Sequence, residues 1–405
     1  MAAGHNTVSM GTGRKEFHPK KPRPGLEYYI QEAGRGVVAG VGGAGTIDEG
    51  VIGNFMAARF NNQGNLAAFI PSIDEGLLWK PCSRVEGACC SGALALVAGI
   101  KSVLAETAEV VLAVGVEVQN TVKAVYGADI LSTAGWRGER KAGHAYFFPG
   151  KFSDRAGAYF AAYGRDRTRR AMARWYRNAI ENARLCPTAQ EYHNTVSDLE
   201  AQALSDPTPA TFVDHFNVYD CSKVSDGASA IAILSEEGLA RAGVSKHDAV
   251  EVIGFGQVEA DLTKPPLDPT RLDTTARAVD KALALAGIGA GDLATVETHD
   301  CFTMAGILAT EAIGLARPGE GPDLVLDGAT ARGGRVPFNT TGGLIGWGHP
   351  TGATGVHQAV TVWEQLTERA GANQIPIRPD RPYGLTVNMG GDDKTVVAIV
   401  FRRGQ

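Results

Sequence analysis

The sequence predicts an α/β protein built from two related halves, and three observations carry that reading. Strand-like runs alternate with helix-like ones along most of the chain, the order expected of parallel sheet covered by helices. The helices between them are apolar on most sides or over one broad face, which predicts burial deep in the molecule. One short unit also occurs twice, once in each half.

In chain order, strands are expected at VVLAVGVE (110–117), ASAIAIL (228–234), AVEVIGFGQV (249–258), then GLTVNMG and TVVAIVFR near the end. Helices are expected over 91–106 and 355–369. The repeated unit reads C-C-S-G-A at 89–93 and H-P-T-G-A at 349–353. Each copy opens an apolar helix that feeds a strand. If the repeat is a duplication, a pseudo-twofold axis sets the two helix starts face to face, and Cys89 meets His349. Residues 119–220 break the rhythm with aromatic, basic, turn-rich sequence, AGWRGERKAGHAYFFPGKFSDRAGAYFAAYG. They read as an insertion over one end of the sheet and a candidate substrate cover.

Composition bounds the possibilities. Of 405 residues, 44% are hydrophobic and 20% charged, which excludes disorder. The 51 glycines, nearly twice the usual share of roughly 7%, predict many tight turns or close backbone approaches. Six cysteines at irregular spacing form neither a disulfide framework nor a paired CxxC zinc set, so a reducing compartment is expected. There is no apolar run of membrane-spanning length, no apolar stretch near the N-terminus, and RRGQ is not a peroxisomal ending. The expected location is the cytosol.

The net charge is −5, but from Arg137 to Arg184 twelve Lys or Arg face four Asp or Glu. This surplus reads either as a solvated helix surface or as a landing surface for a polyanionic small molecule. Nothing resembles a nucleic-acid module.

Four stretches carry the chemistry. Cys89 and Cys90 stand at a helix start, where the helix dipole lowers a thiol pKa and free N–H groups suit an oxyanion. Each taken alone is equally a small core hydrophobe. His349, in GGLIGWGHPTGATG, is framed by glycines that let backbone approach a ligand, with Pro350 suited to a first helical turn. In ETHDCFTMAGILATEA a strand delivers His299, Asp300 and Cys301 to another helix start; the plain alternative is Asp300 as helix cap over a buried Cys301. Asn388-Met389-Gly390-Gly391 reads as a tight glycine turn after a strand, useful as a backbone donor. A zinc site of Cys89, His299, Cys301 and His349 has the right ligand types, but no pair has the short spacing of a structural site.

VEGACCSGALAL, VETHDCFT, GWGHPTGATG and VNMGG, in this order, resemble the thiolases, in particular the branch typified by the thiolase domain of sterol carrier protein X. SMGTGRKEF, FFPGKFSDRAGAYFAAYG and CSKVSDGASAIAIL extend the resemblance over nearly the whole chain. It implies the thiolase fold, two duplicated α/β halves in a layered α-β-α-β-α arrangement. The N-terminal half would be 1–118 with 221–250, the inserted CoA-binding loop domain 119–220, and the C-terminal half 251–405.

The resemblance also implies roles. Its C-x-S-G pattern selects Cys89 as nucleophile, with Ser91 in the pattern's serine position and Cys90 left to packing. His349 would activate Cys89. His299 stands where many thiolases have an asparagine that fixes a water beside the substrate oxygen, and that water and His349 would stabilise an enolate. The family's C-terminal C-x-G is here Asn388-Met389-Gly390, so its acid/base cysteine is missing, and Cys301 takes that role as in the resembled branch. N–H groups of Cys89 and Gly390 would form a second oxyanion hole. The implied reaction is acyl transfer between CoA thioesters in lipid metabolism, either thiolysis of a 3-oxoacyl-CoA or Claisen condensation. It would use coenzyme A as substrate, no prosthetic group and no metal, in a homodimer or homotetramer. His144 reads as a surface residue within reach of the site. Two other readings stand beside this one: a ketosynthase-like condensing enzyme working with a separate small OB-fold partner, and a non-catalytic acyl-CoA-binding scaffold.

Overall fold

The computed structural model describes residues 1–140, 146–206 and 213–404. His144 lies outside them.

Among the described residues nine strands form two sheets. The first holds β1 (Ala2–Asn6), β2 (Glu49–Gly53), β3 (Cys82–Val85), β4 (Val110–Glu117) and β5 (Gly227–Leu234), in the order β1-β5-β4-β2-β3. The second holds β6 (Val250–Glu259), β7 (Leu293–Thr298), β8 (Tyr383–Gly390) and β9 (Thr395–Arg403), in the order β6-β9-β8-β7. Laid over each other, β1, β5, β4 and β2 correspond to β6, β9, β8 and β7. Directions match pair for pair: β4–β2 and β8–β7 are parallel, and the other two pairs in each set are antiparallel. The duplication suggested by two five-residue motifs is therefore carried by whole sheets.

The parallel sheet expected from alternation is in fact mixed. Each half ends with a strand, β5 or β9, that runs back against its neighbour. Between β8 and β9 only a turn intervenes, which antiparallel pairing permits and parallel pairing does not. Between β4 and β5 the same junction is opened to admit the insertion.

Side-chain alternation builds the layers. In β4, Val110, Leu112, Val114 and Val116 face the helix Leu26–Gly40 on the outside, while Val111 and Ala113 face inward. In β9, Val396, Ala398 and Val400 face the outer helices of the second half, while Val397, Ile399 and Phe401 face inward. Between the two inward faces lie the helices Ser91–Leu104 and Thr354–Leu366. They pack backbone to backbone: a Cβ on Gly355 would lie 2.2 Å from the Ala93 nitrogen, and one on Gly92 2.7 Å from the Gly352 oxygen. Glycine at these two positions is what lets the helix starts meet.

The inserted stretch is helical over Phe147–Tyr163, where turn-rich sequence was read, and the basic run read as a helix surface does lie on a helix. Phe147–Tyr163 and Arg165–Ala183 form two long helices that join the largest core cluster, together with Thr303–Ala312. Pro149 is tolerated because it lies in a first turn. Gly157 is there because a Cβ would strike the His215 ring at 2.5 Å. Among the described residues no helix is long and apolar enough to cross a membrane.

Candidate active site

Cys89 sits one residue before the cap of the helix Ser91–Leu104, on a turn where Ala88 adopts φ +55°. A left-handed non-glycine residue is costly and clusters at functional sites. Ser91 ties the turn, donating to Ala88 O (2.6 Å) and accepting from Gly87 N–H (3.1 Å). Cys90 is fully buried and donates to Asn388 O, so it packs the core.

His349 comes from the opposite helix start. The helix expected over 355–369 begins at Thr354; before it, Pro350 O accepts from Ala353 N–H and Thr354 N–H. His349 is held by its backbone, donating to Ser225 Oγ (2.9 Å) and accepting from Gln119 Nε2 (2.8 Å). Its Nδ1 lies 2.7 Å from Thr354 Oγ1, whose hydroxyl donates to Pro350 O. The proton of that hydroxyl being used, Nδ1 donates to it and Nε2 keeps its lone pair.

His299 follows β7 and meets His349 edge to face, ring centroids 5.1 Å apart. The Asn388 amide nitrogen donates to its Nδ1 (3.0 Å), which leaves the proton on Nε2. One imidazole thus offers a base and the other a donor. Cys89, His299 and His349 place their ligand atoms within 4.8 Å of one another, the set of described residues that could hold a metal ion. Cys301 is buried and lines the same cavity, outside that cluster.

Burial dominates the electrostatics. It pushes His349 down to about 3 and, with His349 beside it, holds His299 well below the usual histidine value. Burial, then the Glu117 carboxylate, pushes the Cys89 thiol up to about 12, while N–H groups of Cys89 and Gly391 pull the other way. At neutral pH the resting site is uncharged: thiol and two imidazoles.

Asn388, Met389 and Gly390 are not a turn but the last three residues of β8, and the chain turns only at Gly391, φ +69°. Gly391, not Gly390, lines the cavity; Gly390 is buried where a Cβ would lie 2.2 Å from Gly87 O. Asp300 does not cap the helix after it. It accepts from Trp175 Nε1 (2.9 Å) and Leu344 N–H (2.7 Å), locking the cover and the glycine loop of His349 to the end of β7.

Part of the basic run is paired with acids from elsewhere in the chain. Arg155 pairs with Asp392, Arg167 with Asp323, Arg169 with Asp220, and Arg174 and Arg177 with Glu200. These acids come from outside the 137–184 stretch, which is why the run looked unpaired. These pairs pin the cover down.

Sequence reasoning missed Thr354, Asn388 as the partner of His299, and Glu117. Buried Glu117 accepts from Thr351 Oγ1 and from N–H groups of Phe55, Met56 and Gly352, tying the His349 turn to the first sheet. A buried acid at a strand's end and a threonine five residues after His349 were the available signals.

A duplicated two-sheet fold with a cysteine at one central helix start and histidine at the other defines a thiolase-like protein. A family model described as thiolase C-terminal domain-like matches residues 261–403. An acetyl-CoA acetyltransferase of Methanothermobacter thermautotrophicus is 35% identical over 379 residues, covering 92% of this chain and 94% of that one. One of Methanocaldococcus jannaschii is 31% identical, covering 91% of each. The solved structure of an Ltp2-ChsH2(DUF35) aldolase superposes with TM-score 0.74 at 20% identity, over 99% of this chain and 98% of that one. The chain belongs to the thiolase superfamily and is an acyltransferase of that kind.

Proposed function

We propose that the enzyme transfers acyl groups between CoA thioesters through an acyl-Cys89 intermediate. The convergence of Cys89, His299 and His349 is the observation that carries this reading. His349 Nε2 takes the proton of Cys89 as its sulfur attacks the thioester carbonyl. The new S–C bond replaces the bond to CoA, which leaves as the thiol with that proton. N–H groups of Cys89 and Gly391, one residue beyond the Gly390 that the motif suggested, stabilise the oxyanion. Cys301 passes its thiol proton to the freed His349 Nε2 and takes the α-proton of the second acyl-CoA, while His299 offers its Nε2–H to the enolate oxygen, directly or through a water. The enolate carbon then bonds to the acyl carbon, the bond from that carbon to Cys89 sulfur breaks, and the Cys89 thiolate takes back the proton from His349. In the reverse direction the same groups perform thiolysis. Condensation releases one CoA and thiolysis consumes one, with no other co-reactant; the enzyme does this in the cytoplasm as a homodimer or homotetramer.

Intact-mass spectrometry of wild type and Cys89→Ala with acyl-CoAs tests this. An acyl adduct on wild type that is absent from the variant is expected; a folded, CoA-binding wild type with no adduct from any acyl-CoA overturns it, and unchanged function in Cys89→Ala would indicate a scaffold.

A second reading, partner-dependent condensation or cleavage with a small OB-fold subunit, draws on the fold likeness to the Ltp2-ChsH2(DUF35) aldolase, a protein whose name gives two components. Salt-resistant co-purification of a small subunit, with turnover only in its presence, separates it from the first.

A further inference from the structure

The cavity next to Cys89 is lined by two unlike kinds of residue. Cys89, His299, Cys301, His349, Ser222 and Thr351 bring its polar groups; most of the remaining lining is carbon. Ala128 and Leu131 from the helix Ala124–Leu131, Phe147, Phe148 and Phe152 from the next helix, and Phe302 form that wall. The rings brace one another. Phe152 stacks on Phe302 at 4.7 Å, Phe302 leans on Phe216 at 5.6 Å, and Phe147 meets Phe148 edge-on at 5.0 Å.

We propose that this wall is the acyl subsite, and that it selects a compact, bulky acyl group, phenyl-bearing or branched, over acetyl or a long straight chain. The inference rests on the acyl-Cys89 reading above and adds the substrate class to it.

Three arguments converge. The cavity holds about 190 Å³. An apolar cavity of about 150 Å³ is enough to take up benzene. An acetyl group would leave most of this space empty and its lining without contacts. Second, the pantetheine arm of CoA carries amides, which are costly to bury against a wall without hydrogen-bond partners. The arm must follow the polar lining groups, which leaves the carbon wall to the acyl group. Third, Phe152 and Phe216 are fully buried. A long chain can thread between these rings only by breaking their stack, whereas a phenyl ring adds one more edge-to-face or offset contact to it.

The test is the rate of adduct formation on Cys89, read by intact mass, with acetyl-CoA, isobutyryl-CoA, phenylacetyl-CoA and dodecanoyl-CoA at equal subsaturating concentration. Phenylacetyl and isobutyryl groups should load at least about tenfold faster than acetyl, since even one methylene in an apolar pocket changes rates by about that factor. Dodecanoyl should be slow. Ala128→Phe, which fills the wall, should lower the phenylacetyl-to-acetyl ratio by about tenfold or more; being a ratio, it does not respond to a general loss of folded protein. Acetyl or dodecanoyl loading fastest, or a ratio that Ala128→Phe leaves unmoved, overturns the acyl-class inference while leaving the acyl-cysteine reading intact. No adduct from any of the four, in a wild type that binds CoA, overturns the acyl-cysteine reading and the inference with it.

Discussion

The Nδ1 of His349 lies 2.7 Å from the hydroxyl of Thr354, five residues later at the start of the same central helix. The hydroxyl proton goes to Pro350 O, so this one contact decides that the lone pair of His349 is on Nε2. Thr354→Val removes the acceptor and leaves both tautomers available, while keeping shape and β-branching. Loss of one hydrogen bond that orients a base should lower kcat/KM about ten- to a hundredfold. Thr354→Ser, which keeps the acceptor, should retain most of the activity. Equal losses in both variants would mean that the threonine methyl, not the hydrogen bond, matters.

The neutral resting state sets an expected pH profile. With the Cys89 thiol held at about 12 and His349 at about 3, no thiolate–imidazolium pair exists near neutrality. The thiolate fraction then grows with every unit of pH across the accessible range, because a raised pKa leaves the protonated form in place until high pH. Inactivation by iodoacetamide should accordingly keep rising from pH 6 to pH 10. A plateau between pH 5 and 8 would reveal an ion pair and refute the neutral site.

Close approach of the central helices makes its own prediction. Gly355→Ala puts a methyl 2.2 Å from the Ala93 nitrogen, where only backbone can yield. Overpacking of this kind costs about 1–3 kcal/mol. The larger effect should be on turnover, since an ångström of extra separation between Cys89 and His349 is worth about a hundredfold. Gly291→Ala, at a surface position with nothing near the added methyl, is the control and should change neither. Unfolding in denaturant and kcat, measured on both variants, check this.

How much of this was legible in the sequence depends on the range of the interactions involved. The β4, β5 and β9 strands and the two central helices declare themselves because period-2 and broadly apolar patterns are local consequences of burial. The meeting of Cys89 and His349 was readable only through the repeat. Strand direction was not, since alternation is the same in parallel and antiparallel ladders. The cover looked like loops because Pro149 and Gly157 punctuate it locally, while His215, fifty-eight residues beyond Gly157, explains that glycine. Asp300 read as a cap because its true partners, Trp175 and Leu344, lie on other elements. The same holds for the arginines of Arg165–Ala183, whose acids are distant in sequence.

Cys301 offers the sharpest division of the proposed mechanism into halves. It lines the cavity that Cys89 opens into, yet lies outside the cluster of Cys89 and the two imidazoles, and burial keeps its thiol well above the usual range, with Cys89 adding to the effect. A group so placed is ill suited to activate Cys89, which already has His349, but is positioned to hold a proton for a second substrate. Cys301→Ala should therefore load an acyl group on Cys89 at close to the wild-type rate and then stall. Steady-state condensation and thiolysis should fall by about 10²- to 10⁴-fold, the usual contribution of a positioned acid/base. Rapid-quench mass spectrometry reads the first half and CoA release at steady state the second. Loss of both halves in equal measure would place Cys301 in the acylation step or in the fold, and would return the acid/base role to one of the histidines.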